Sequence, residues 1–584
     1  MRILFDSQNT LYKSPFGTLV PKELCMLRIF IPVSCQTREV CAVLRCDRTG
    51  EQLRVHLPFD GRMEDSYEHF CGEFSLPEPD LWFYHFEITT ANEKFRLFRL
   101  GSHDTNMEAG DEWQLSVVSQ TYEVPDWARG AVMYQIFPDR FARAGLCDAA
   151  DKLRPFTVHE DLTDEPEWRP DGNGKILNND FFGGNLRGIR EKLPYLASLG
   201  VEILYLNPVF MAFSSHRYDT CDYSRIDPLL GTEEDFSDLC REAHARGMRL
   251  ILDGVFSHTG SRSIYFDSAR SDPDSPYRSW YRFTHWPDKY LCWWDFETLP
   301  CLDKDSEAYM DYLFENENSI VAKWLRLGAD GFRLDVADEL PDRFLSRLRR
   351  RMREVKPDSL LLGEVWEDAS NKIAYDVRRR YFTDGELDGV MNYPWRTAVL
   401  RFCRGEDDGT ELARALETLT ENYPRPVLDC TMNLLSTHDV ARALTALAAP
   451  FEGTRAQMAA HRLTDAQRQN GLTLLRLAAV LEFSLPGMPC IYYGDEAGME
   501  GCKDPFNRGF YPWGREDAAL RAFYGKLGVW RKGSPILRRG SLTVVQAGGG
   551  SITLRRTWQR EATEITVDIP HRAWSIDGRK QEIV

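Results

Sequence analysis

The stretch Gly328-Ala-Asp-Gly-Phe-Arg-Leu-Asp-Val-Ala-Asp-Glu339 places a cation and a carboxylate on one short apolar strand. Because side chains alternate along a strand, Arg333 and Asp335 share one face and the apolar residues that alternate with them share the other. Apolar residues at helical spacing fill 306–327 and 341–352, so we expect this strand to be buried between helices in a parallel α/β fold. A buried ion pair is costly, and an arginine beside a carboxylate favours its ionised form. The segment is therefore either a reactive site or a structural ion pair.

Apolar runs that end in a polar residue recur along the central part of the chain and alternate with helical patterns. Eight of them are predicted as strands, at 131–137, 201–207, 249–255, 331–335, 360–364, 390–393, 431–435 and 490–493. Eight strands separated by helices predict a closed (β/α)8 TIM barrel. In such a barrel the reactive residues lie at the carboxyl ends of the strands.

Changes in this pattern predict three domains. Residues 1–121 contain short alternating runs typical of a β-sandwich, residues 122–530 form the barrel, and residues 531–584 form a short C-terminal β-domain. An aromatic-rich segment at 259–306 follows the third strand and is too long for an ordinary connection. It predicts an inserted lid subdomain after strand 3.

Composition narrows the possible partners. A formal net charge of −17 argues against nucleic acid or an anionic membrane as a partner, and a neutral ligand fits better. Aromatic rings suit the flat faces of sugars, although most of them must form core, and Trp293 and Trp294 are expected to lie in the lid core.

Targeting and cysteine patterns predict the compartment. The sequence shows no basic start followed by an apolar segment and no long uninterrupted apolar run, which predicts a cytoplasmic protein. The 14 cysteines form no CxxC pair, which speaks against a zinc site and, in the cytoplasm, against disulfides.

Three acids follow three different predicted strands, so the barrel would bring Asp335, Glu364 and Asp439 to one mouth. A retaining glycosidase needs one carboxylate to attack the anomeric carbon and a second, protonated one to donate to the leaving oxygen. Asp335 beside Arg333 suits the nucleophile, and Glu364 among apolar residues suits the proton donor. This composition predicts cleavage of a glycosidic bond.

Four motifs contain the polar residues at the predicted strand ends: Asp253-Gly-Val-Phe-Ser-His258, Gly331-Phe-Arg-Leu-Asp335, Gly363-Glu-Val-Trp366 and Asn433-Leu-Leu-Ser-Thr-His-Asp439. They occur in the order found in the α-amylase family, family thirteen of the glycoside hydrolases, and the chain resembles that family over about 125–535. Within the family the chain looks closest to the neopullulanase, cyclomaltodextrinase and maltogenic amylase group and to the amylopullulanases. The Val336-Ala-Asp-Glu339 and Ser215-His-Arg-Tyr218 segments carry that finer resemblance.

The resemblance implies a role for each motif residue. Asp335 would be the nucleophile, Glu364 the acid/base and Asp439 the transition-state stabiliser. Six further residues would bind substrate: Tyr218, His258, Arg333, His438, Glu339 and Trp366. The implied reaction is hydrolysis of α-1,4-glucosidic bonds, with α-1,6 cleavage left open, in maltooligosaccharides, cyclodextrins or pullulan with retention of configuration.

Two other functions stay open on the sequence. An α-glucosyltransferase or isomerase would use the same barrel and the same acids. A non-catalytic glucan-binding protein is a remoter alternative, because such a relative is expected to lack Asp335 or Glu364, and this chain has both. Linkage preference, chain-length preference, the balance of hydrolysis and transglycosylation, and the role of the N-terminal domain are not fixed by the sequence.

Some positions depart from the family pattern. Ser257 stands where an asparagine is usual, the segment 143–147 lacks the usual asparagine and aspartate ligands of a calcium loop, and Asn185 replaces an aspartate. We therefore expect no cofactor and no bound metal, calcium included. The resemblance also suggests a homodimer.

Overall fold

The computed structural model describes residues 2–63, 66–101, 103–107, 109–120 and 122–582. Residues 1, 121 and 584, at which predicted domains begin or end, lie outside the described residues. The chain divides into two compact units. One consists of Met1–Glu123, Asp368–Glu386 and Ala413–Leu428, and the other of Val124–Glu367, Leu387–Leu412 and Asp429–Val584.

The first unit is built on two antiparallel sheets. One has the order Lys13–Ser14, Cys25–Pro32, Tyr67–Phe74 and Phe59–Met63. The other runs Gln52–His56, Thr37–Cys46, Asp80–Thr90, Lys94–Leu100 and Asp104–Asn106, with Trp113–Val117 paired to Asp80–Thr90. Side chains of both sheets, such as Ile29 and Phe86, form one buried core. This confirms the predicted N-terminal β-sandwich.

The second unit contains the predicted barrel. Its eight parallel strands are β1 Met133–Ile136, β2 Ile203–Leu206, β3 Arg249–Gly254, β4 Gly331–Leu334, β5 Leu360–Gly363, β6 Gly389–Val390, β7 Met432–Leu434 and β8 Met488–Tyr492. They pair in the order β6-β5-β4-β3-β2-β1-β8-β7, and a parallel bridge between Met391 and Met432 joins β6 to β7. All eight predicted strands are confirmed, most of them shorter than predicted at one end or both.

Helices separate these strands. The α-helices of the chain are Pro138–Phe141, Leu186–Glu191, Leu193–Ser198, Glu233–His244, Ile264–Ser271, Glu307–Met310, Ile320–Leu327, Asp342–Val355, Tyr393–Cys403, Thr410–Asn422, Arg425–Asp429, Ala443–Ala448, Arg455–Ala460, Asp465–Ser484, Ala518–Gly533 and Pro535–Arg539. The helical pattern at 306–327 is interrupted, because the Asn316 side chain accepts a hydrogen bond from the amide of Asn318 where a helix would continue.

The lid after β3 has its own small elements. Helix Ile264–Ser271 and a hairpin of Phe283–His285 with Lys289–Tyr290 precede a turn at Trp293–Asp295. The expectation that Trp293 and Trp294 form lid core is wrong, because Trp293 is only half-buried and Trp294 is 70% exposed. Trp280 is buried and fills that core instead.

The C-terminal part of this unit is a five-stranded antiparallel sheet. Its strands are Ser541–Gly548, Ser551–Trp558, Glu561–Asp568, Ala573–Ile576 and Arg579–Gln581. The predicted C-terminal β-domain is confirmed.

A buried carboxylate fixes the amino-terminal end of β4. Asp330 is fully buried and contacts His244 Nε2 at 2.7 Å, Arg249 Nη1 at 3.1 Å and Lys356 Nζ at 2.7 Å. It also accepts a hydrogen bond of 2.8 Å from the amide of Leu250 in β3. Burial alone would raise the pKa of Asp330, but the hydrogen bonds from His244 and Lys356 lower it below its ordinary value. Asp330 therefore connects the amino-terminal ends of β3 and β4 with the carboxyl ends of helices Glu233–His244 and Asp342–Val355.

We predict that Asp330→Asn lowers the free energy of unfolding by about 3 kcal/mol, because it removes the buried charge that several partly exposed donors share through charge-assisted hydrogen bonds. Urea unfolding measures this loss. The matched control is Asp358→Asn, since Asp358 is 48% exposed and lies 3.6 Å from the same Arg249, and a change below about 0.5 kcal/mol is expected there. Equal losses in the two variants would contradict this role of Asp330.

Candidate active site

The register of three neighbouring strands assembles the candidate site. Arg333 in β4 lies opposite Asp253 in β3 and opposite Leu362 in β5. Asp335 comes directly after β4 and Glu364 directly after β5. Because all three strands run parallel, their carboxyl ends meet at one mouth of the barrel. The structure therefore brings Arg333, Asp335 and Glu364 together as predicted.

Arg333 is the single cation at the centre of this cluster. Its Nη1 lies 2.8 Å from Asp253 Oδ1 and 3.1 Å from Asp335 Oδ1, and its Nη2 lies 2.8 Å from Glu364 Oε2. The guanidinium is fully buried, and its three carboxylate partners are buried as well. One positive charge is thus shared among three acids, which leaves an excess of acid in a water-poor site.

The charge balance corrects one expectation. We expected Arg333 to hold Asp335 ionised, but burial and the neighbouring carboxylates, led by Glu364, raise the pKa of Asp335 well above its ordinary value despite the opposing arginine. The sequence displayed the Arg333–Asp335 pair and could not display that Arg333 also serves two other acids. The cluster therefore favours retention of a proton.

Glu364 is held by two donors besides Arg333. The amide of Val336 donates to Glu364 Oε2 at 2.8 Å, and the indole N–H of Trp366 donates to Oε1 at 3.1 Å. Val336 adopts φ 39° and ψ 69°, in the left-handed region that β-branched residues rarely occupy. Among the described non-glycine residues with positive φ it is the one β-branched residue. This strained backbone aims its amide at the carboxylate.

Trp366 is 45% exposed and stacks on a residue that the sequence did not indicate. Its ring lies parallel to that of Tyr393, with 3.9 Å between centroids and 6° between planes. Tyr393 is buried after β6, where the sequence was read as the end of a strand, and it begins helix Tyr393–Cys403 instead. Tyr393 therefore fixes the ring whose N–H contacts Glu364.

Tyr218 and His438 form a second layer of the site. Their rings are parallel, with 5.3 Å between centroids and 3° between planes. Gln135 Nε2 lies 3.0 Å from His438 Nδ1 and donates to it, so Nε2 of the ring carries the proton toward Tyr218 Oη at 2.5 Å. Tyr218 Oη in turn donates to Asp253 Oδ2 at 2.7 Å. This directed chain links His438 to Arg333 through Asp253.

The His258 side chain contacts the backbone of Tyr218. Its Nε2 lies 3.0 Å from the carbonyl oxygen of Tyr218, which can only accept, and its Nδ1 accepts from Ser257 Oγ at 2.9 Å. Burial lowers the pKa of His258 to about 4, so the ring is neutral. The carbonyl of Tyr218 therefore sets the tautomer of His258, and Ser257, which departs from the family pattern, donates to the other ring nitrogen.

Asp439 lies beside His438 after β7 and is the most open of the three predicted acids. Its Oδ2 lies 3.3 Å from His438 Nε2, and its Oδ1 lies 3.9 Å from Nη2 of Arg508. Burial and Glu364 raise the pKa of Asp439 to about 7, although Arg508 and Arg333 oppose the rise. Arg508 was missed because it arrives on a loop beyond β8, and no sequence pattern links that loop to β7.

The predicted binding residue Glu339 ends the short turn Ala337–Glu339 that follows Asp335, and it is half-buried. Its amide donates to the carbonyl of Val336 at 2.9 Å, so the strained residue also starts the turn that carries Glu339.

The contacts of Asn185 show whether the predicted calcium loop could hold a cation. The Asn185 side-chain oxygen accepts from the amides of Gly188 at 2.8 Å and Ala144 at 3.3 Å. This fixes the amide orientation, so Nδ2 donates to the carbonyl oxygens of Ala144 at 3.3 Å and Gly145 at 3.2 Å. An N–H donor therefore points at carbonyls that a cation would need as ligands, and these residues do not fit calcium.

Comparison with known proteins agrees with this geometry. The barrel with acids at the ends of β4, β5 and β7 defines a carbohydrate-processing class of TIM barrels, and the description of the α-amylase catalytic domain matches residues 135–529. An amylopullulanase from Thermoanaerobacter thermohydrosulfuricus is 34% identical over 93% of this chain and 40% of its own length. Neopullulanase 2 from Thermoactinomyces vulgaris is 33% identical over 73% of this chain and 66% of its own.

Solved structures give the same result. The type III pullulan hydrolase from Thermococcus kodakarensis has a TM-score of 0.67 at 26% identity, covering 97% of this chain and 94% of that one. A cyclic α-maltosyl-(1→6)-maltose hydrolase from Arthrobacter globiformis has a TM-score of 0.63 at 30% identity, covering 76% and 92%. The chain therefore belongs to the α-amylase family, as its motifs predicted. It spans about two fifths of the length of the amylopullulanase it matches.

The raised pKa of Asp439 predicts a pH-dependent stability. Between about pH 4 and pH 7 the folded state keeps a proton that the unfolded state has released, so this group destabilises the fold increasingly as pH rises through that window. We predict that Asp439→Asn, which cannot titrate, gains stability relative to the parent from pH 4 to pH 7 and stays level above it. Thermal unfolding at several pH values measures the difference.

The control for this prediction is Asp305→Asn, an acid whose side chain is 64% exposed. Its difference from the parent should not change across the same window. A difference between Asp439→Asn and the parent that is constant from pH 4 to pH 8 would contradict the raised pKa.

Proposed function

We propose that this protein is a retaining α-glucan hydrolase that cleaves α-1,4-glucosidic bonds, with α-1,6 bonds as a second possible linkage, in short maltooligosaccharides, cyclodextrins or pullulan. The observation that carries the proposal is the pair of Asp335 and Glu364 on the Arg333 guanidinium at the barrel mouth, with Asp439 beside His438 after β7. Relatives named neopullulanase, cyclomaltodextrinase and amylopullulanase support the substrate class.

In the proposed mechanism Asp335 attacks the anomeric carbon as its bond to the leaving oxygen breaks, and Glu364 gives its proton to that oxygen. Water then loses a proton to Glu364 and displaces Asp335, which returns both groups to their starting state. Asp439 and the neutral His438 would hold sugar hydroxyls beside the reacting ring. Asp335 must be ionised to attack, so the cluster reacts when the proton that it retains lies on Glu364 and not on Asp335.

The Tyr218 and Trp366 rings are the proposed sugar contacts on the two sides of the cleaved bond. Tyr218 is fixed by its hydroxyl to Asp253, so its ring has a defined plane on the side of the reacting glucose. Trp366 is part-exposed and touches Glu364 through its N–H, so a leaving sugar stacked on it would lie next to the proton donor. Arg333, His258 and Glu339 complete the proposed subsites.

A glucosyltransferase or isomerase is the second candidate, because the same intermediate can pass to a sugar instead of water. The partly exposed ring of Trp366 favours this candidate, because an acceptor sugar stacked on it would lie beside Glu364. A non-catalytic glucan-binding role fits less well, since both reactive acids are present and paired with Arg333.

Parallel product analysis tests the function. Purified protein is given γ-cyclodextrin, pullulan, soluble starch and maltotriose, with EDTA controls. Maltose from the cyclodextrin and panose from pullulan would support the proposal, whereas maltotriose from pullulan would assign α-1,6 cleavage. Longer products from maltotriose without net hydrolysis would favour the transferase. No product from any substrate would overturn the hydrolase.

We predict that Asp335→Asn and Glu364→Gln each lower kcat by at least about a thousandfold, because each removes a group that takes part in covalent chemistry. Rates on γ-cyclodextrin measure the loss, and urea unfolding checks that the variants fold. More than a tenth of the parental activity in either variant would move the site elsewhere.

We also propose that the enzyme works without calcium, because the Asn185 amide occupies the place of a cation between the carbonyls of Ala144 and Gly145. EDTA should leave the melting temperature of the parent unchanged. Asn185→Asp should melt several degrees lower in EDTA, since it loses both donors and sets a carboxylate against two carbonyls, and millimolar calcium should restore part of the loss.

The matched control is Asn179→Asp, because Asn179 donates one exposed side-chain bond of 2.8 Å to the carbonyl of Pro155. It should respond to neither EDTA nor calcium. A parent protein that melts lower in EDTA would contradict the calcium-free proposal.

The cytoplasmic location and the homodimer remain predictions. A cytoplasmic location is supported by fourteen free cysteines, many of them buried, which suit a reducing compartment. In the described part of the chain no helix is long and apolar enough to span a bilayer. The homodimer suggested by the family resemblance can be tested by light scattering at micromolar concentration.

A further inference from the structure

A fully buried lysine contacts the part of the chain that leads to Tyr218. Lys152 lies between β1 and β2, and its ammonium donates to Asp227 Oδ2 at 2.6 Å and to the carbonyl oxygen of Ala212 at 2.7 Å. The ammonium also lies 4.5 Å from the centroid of the Phe181 ring. Burial lowers the pKa of Lys152, although Asp227 opposes this shift. A buried cation carries a desolvation penalty, which its carboxylate and carbonyl partners must offset.

Both hydrogen-bond partners of this ammonium lie on one β-hairpin. Strand Phe210–Ala212 pairs with strand Thr220–Ile226, and the segment that connects them carries Tyr218. Ala212 is the last residue of the first strand, and Asp227 directly follows the second. The amide of Ala212 also donates to Asp227 Oδ2, at 3.3 Å, so the backbone and the ammonium share this carboxylate oxygen. The ammonium therefore fixes the residue at which the connecting segment begins.

Asp227 also holds the residue before Tyr218. Its Oδ1 lies 3.3 Å from Nη2 of Arg217, which is buried and has φ 62°, in the left-handed region that non-glycine residues rarely occupy. The amide of Arg217 donates to Ser214 Oγ at 3.1 Å, and its Nη1 donates to the carbonyl oxygen of Ser215 at 2.9 Å. The backbone of Arg217 therefore sets the direction in which the next side chain, that of Tyr218, leaves the chain.

Two cations balance one carboxylate in what we call the hairpin ion cluster, which consists of Lys152, Arg217 and Asp227. Burial alone would raise the pKa of Asp227, but Arg217 and Lys152 lower it below its ordinary value. Both cations also approach the ring of Phe181, with Arg217 Cζ at 5.3 Å from its centroid. Without Lys152 the carboxylate would keep Arg217 as its cationic partner in a water-poor site. The remaining attraction would draw the Arg217 side chain, and with it the backbone next to Tyr218, toward Asp227.

We propose that Lys152 is a positioning residue for the reaction, because the hairpin ion cluster that it completes holds Tyr218 at the reacting glucose. The proposal rests on the proposed function, in which Tyr218 is a sugar contact. The Tyr218 hydroxyl donates to Asp253 at 2.7 Å, so a backbone shift of Tyr218 would move its ring relative to the acid cluster. A displacement of about 1 Å at such a contact can lower a rate by about a hundredfold.

Lys152→Met tests the proposal, because methionine keeps an unbranched apolar stem and removes the charge. We expect kcat/KM for γ-cyclodextrin to fall about ten- to a hundredfold, with most of the loss in kcat, since a misplaced sugar contact weakens the interaction in the transition state. Urea unfolding shows whether the variant folds. If it does not, Lys152→Gln replaces it, since glutamine keeps an N–H donor without the charge, and the same direction of change is expected.

Lys323→Met is the matched control, because Lys323 has the same three kinds of partner. Its ammonium donates to Glu233 Oε1 at 2.6 Å and to the carbonyl oxygen of Ser224 at 2.7 Å, and it lies 5.1 Å from the centroid of the Trp324 ring. Ser224 belongs to the second strand of the same hairpin, whereas Glu233 begins the helix after it. These contacts lie on the strand and the helix and not on the segment that carries Tyr218, so kcat/KM should stay at the parental value.

A double-mutant cycle separates positioning from general destabilisation. Tyr218→Ala removes the ring through which Lys152 is proposed to act, so adding Lys152→Met to it should lower kcat/KM by much less than Lys152→Met does alone. A lysine that only stabilises the fold would instead lower kcat/KM by the same factor in both backgrounds.

The outcomes separate this proposal from the proposed function. An active parent whose folded Lys152 variant keeps the parental kcat/KM would overturn the positioning role and leave the hydrolase standing. Equal losses in the presence and absence of the Tyr218 ring, or an equal loss in Lys323→Met, would overturn it as well. A parent that cleaves no α-glucan would overturn both proposals.

Discussion

The candidate site depends on one guanidinium shared by three buried carboxylates. Arg333 contacts Asp253, Asp335 and Glu364 at 2.8–3.1 Å, and each partner comes from a different strand of the barrel. With one cation for three acids, the full set of negative charges is expensive to maintain without water. Proton retention lowers that cost, which is why the pKa values of Asp335 and Asp439 rise rather than fall.

Positive and negative charges are balanced very differently at the two ends of β4. At the amino end of β4, Asp330 is one acid surrounded by His244, Arg249 and Lys356, so its charge is more than compensated. At the carboxyl end, Arg333 is one cation among excess acid. The first arrangement stabilises the charged state and hence the fold, whereas the second tolerates a titrating group. Stability and reactivity are thereby separated along four residues of strand, as TIM barrels separate them between their two faces.

Periodicity and motif order were enough to predict the eight strands, both flanking β-domains and the meeting of Asp335, Glu364 and Asp439. What they could not provide depends on contacts between segments far apart in sequence. The apparent Arg333–Asp335 pair looked complete because the chain shows neighbours, while the sharing of Arg333 with Asp253 and Glu364 is a property of strand register. Tyr393 beneath Trp366 and Arg508 beside Asp439 were invisible for the same reason.

Backbone strain was equally hidden, and it marks places where the chain holds a group in an unfavourable position. The left-handed turn at Tyr375 needs no further reason, since the hairpin of Ile373–Ala374 with Val377–Arg378 requires positive φ at both turn residues. Trp294 and Asp295 form a turn of the same kind, closed by a hydrogen bond from the amide of Phe296 to the carbonyl of Trp293. Val336 has no such reason, and its amide donates to Glu364. Strain of about 1–3 kcal/mol at Val336 persists only where surrounding structure enforces it. The left-handed conformation of Val336 therefore places local strain next to the acid cluster, where it orients a donor toward a buried carboxylate.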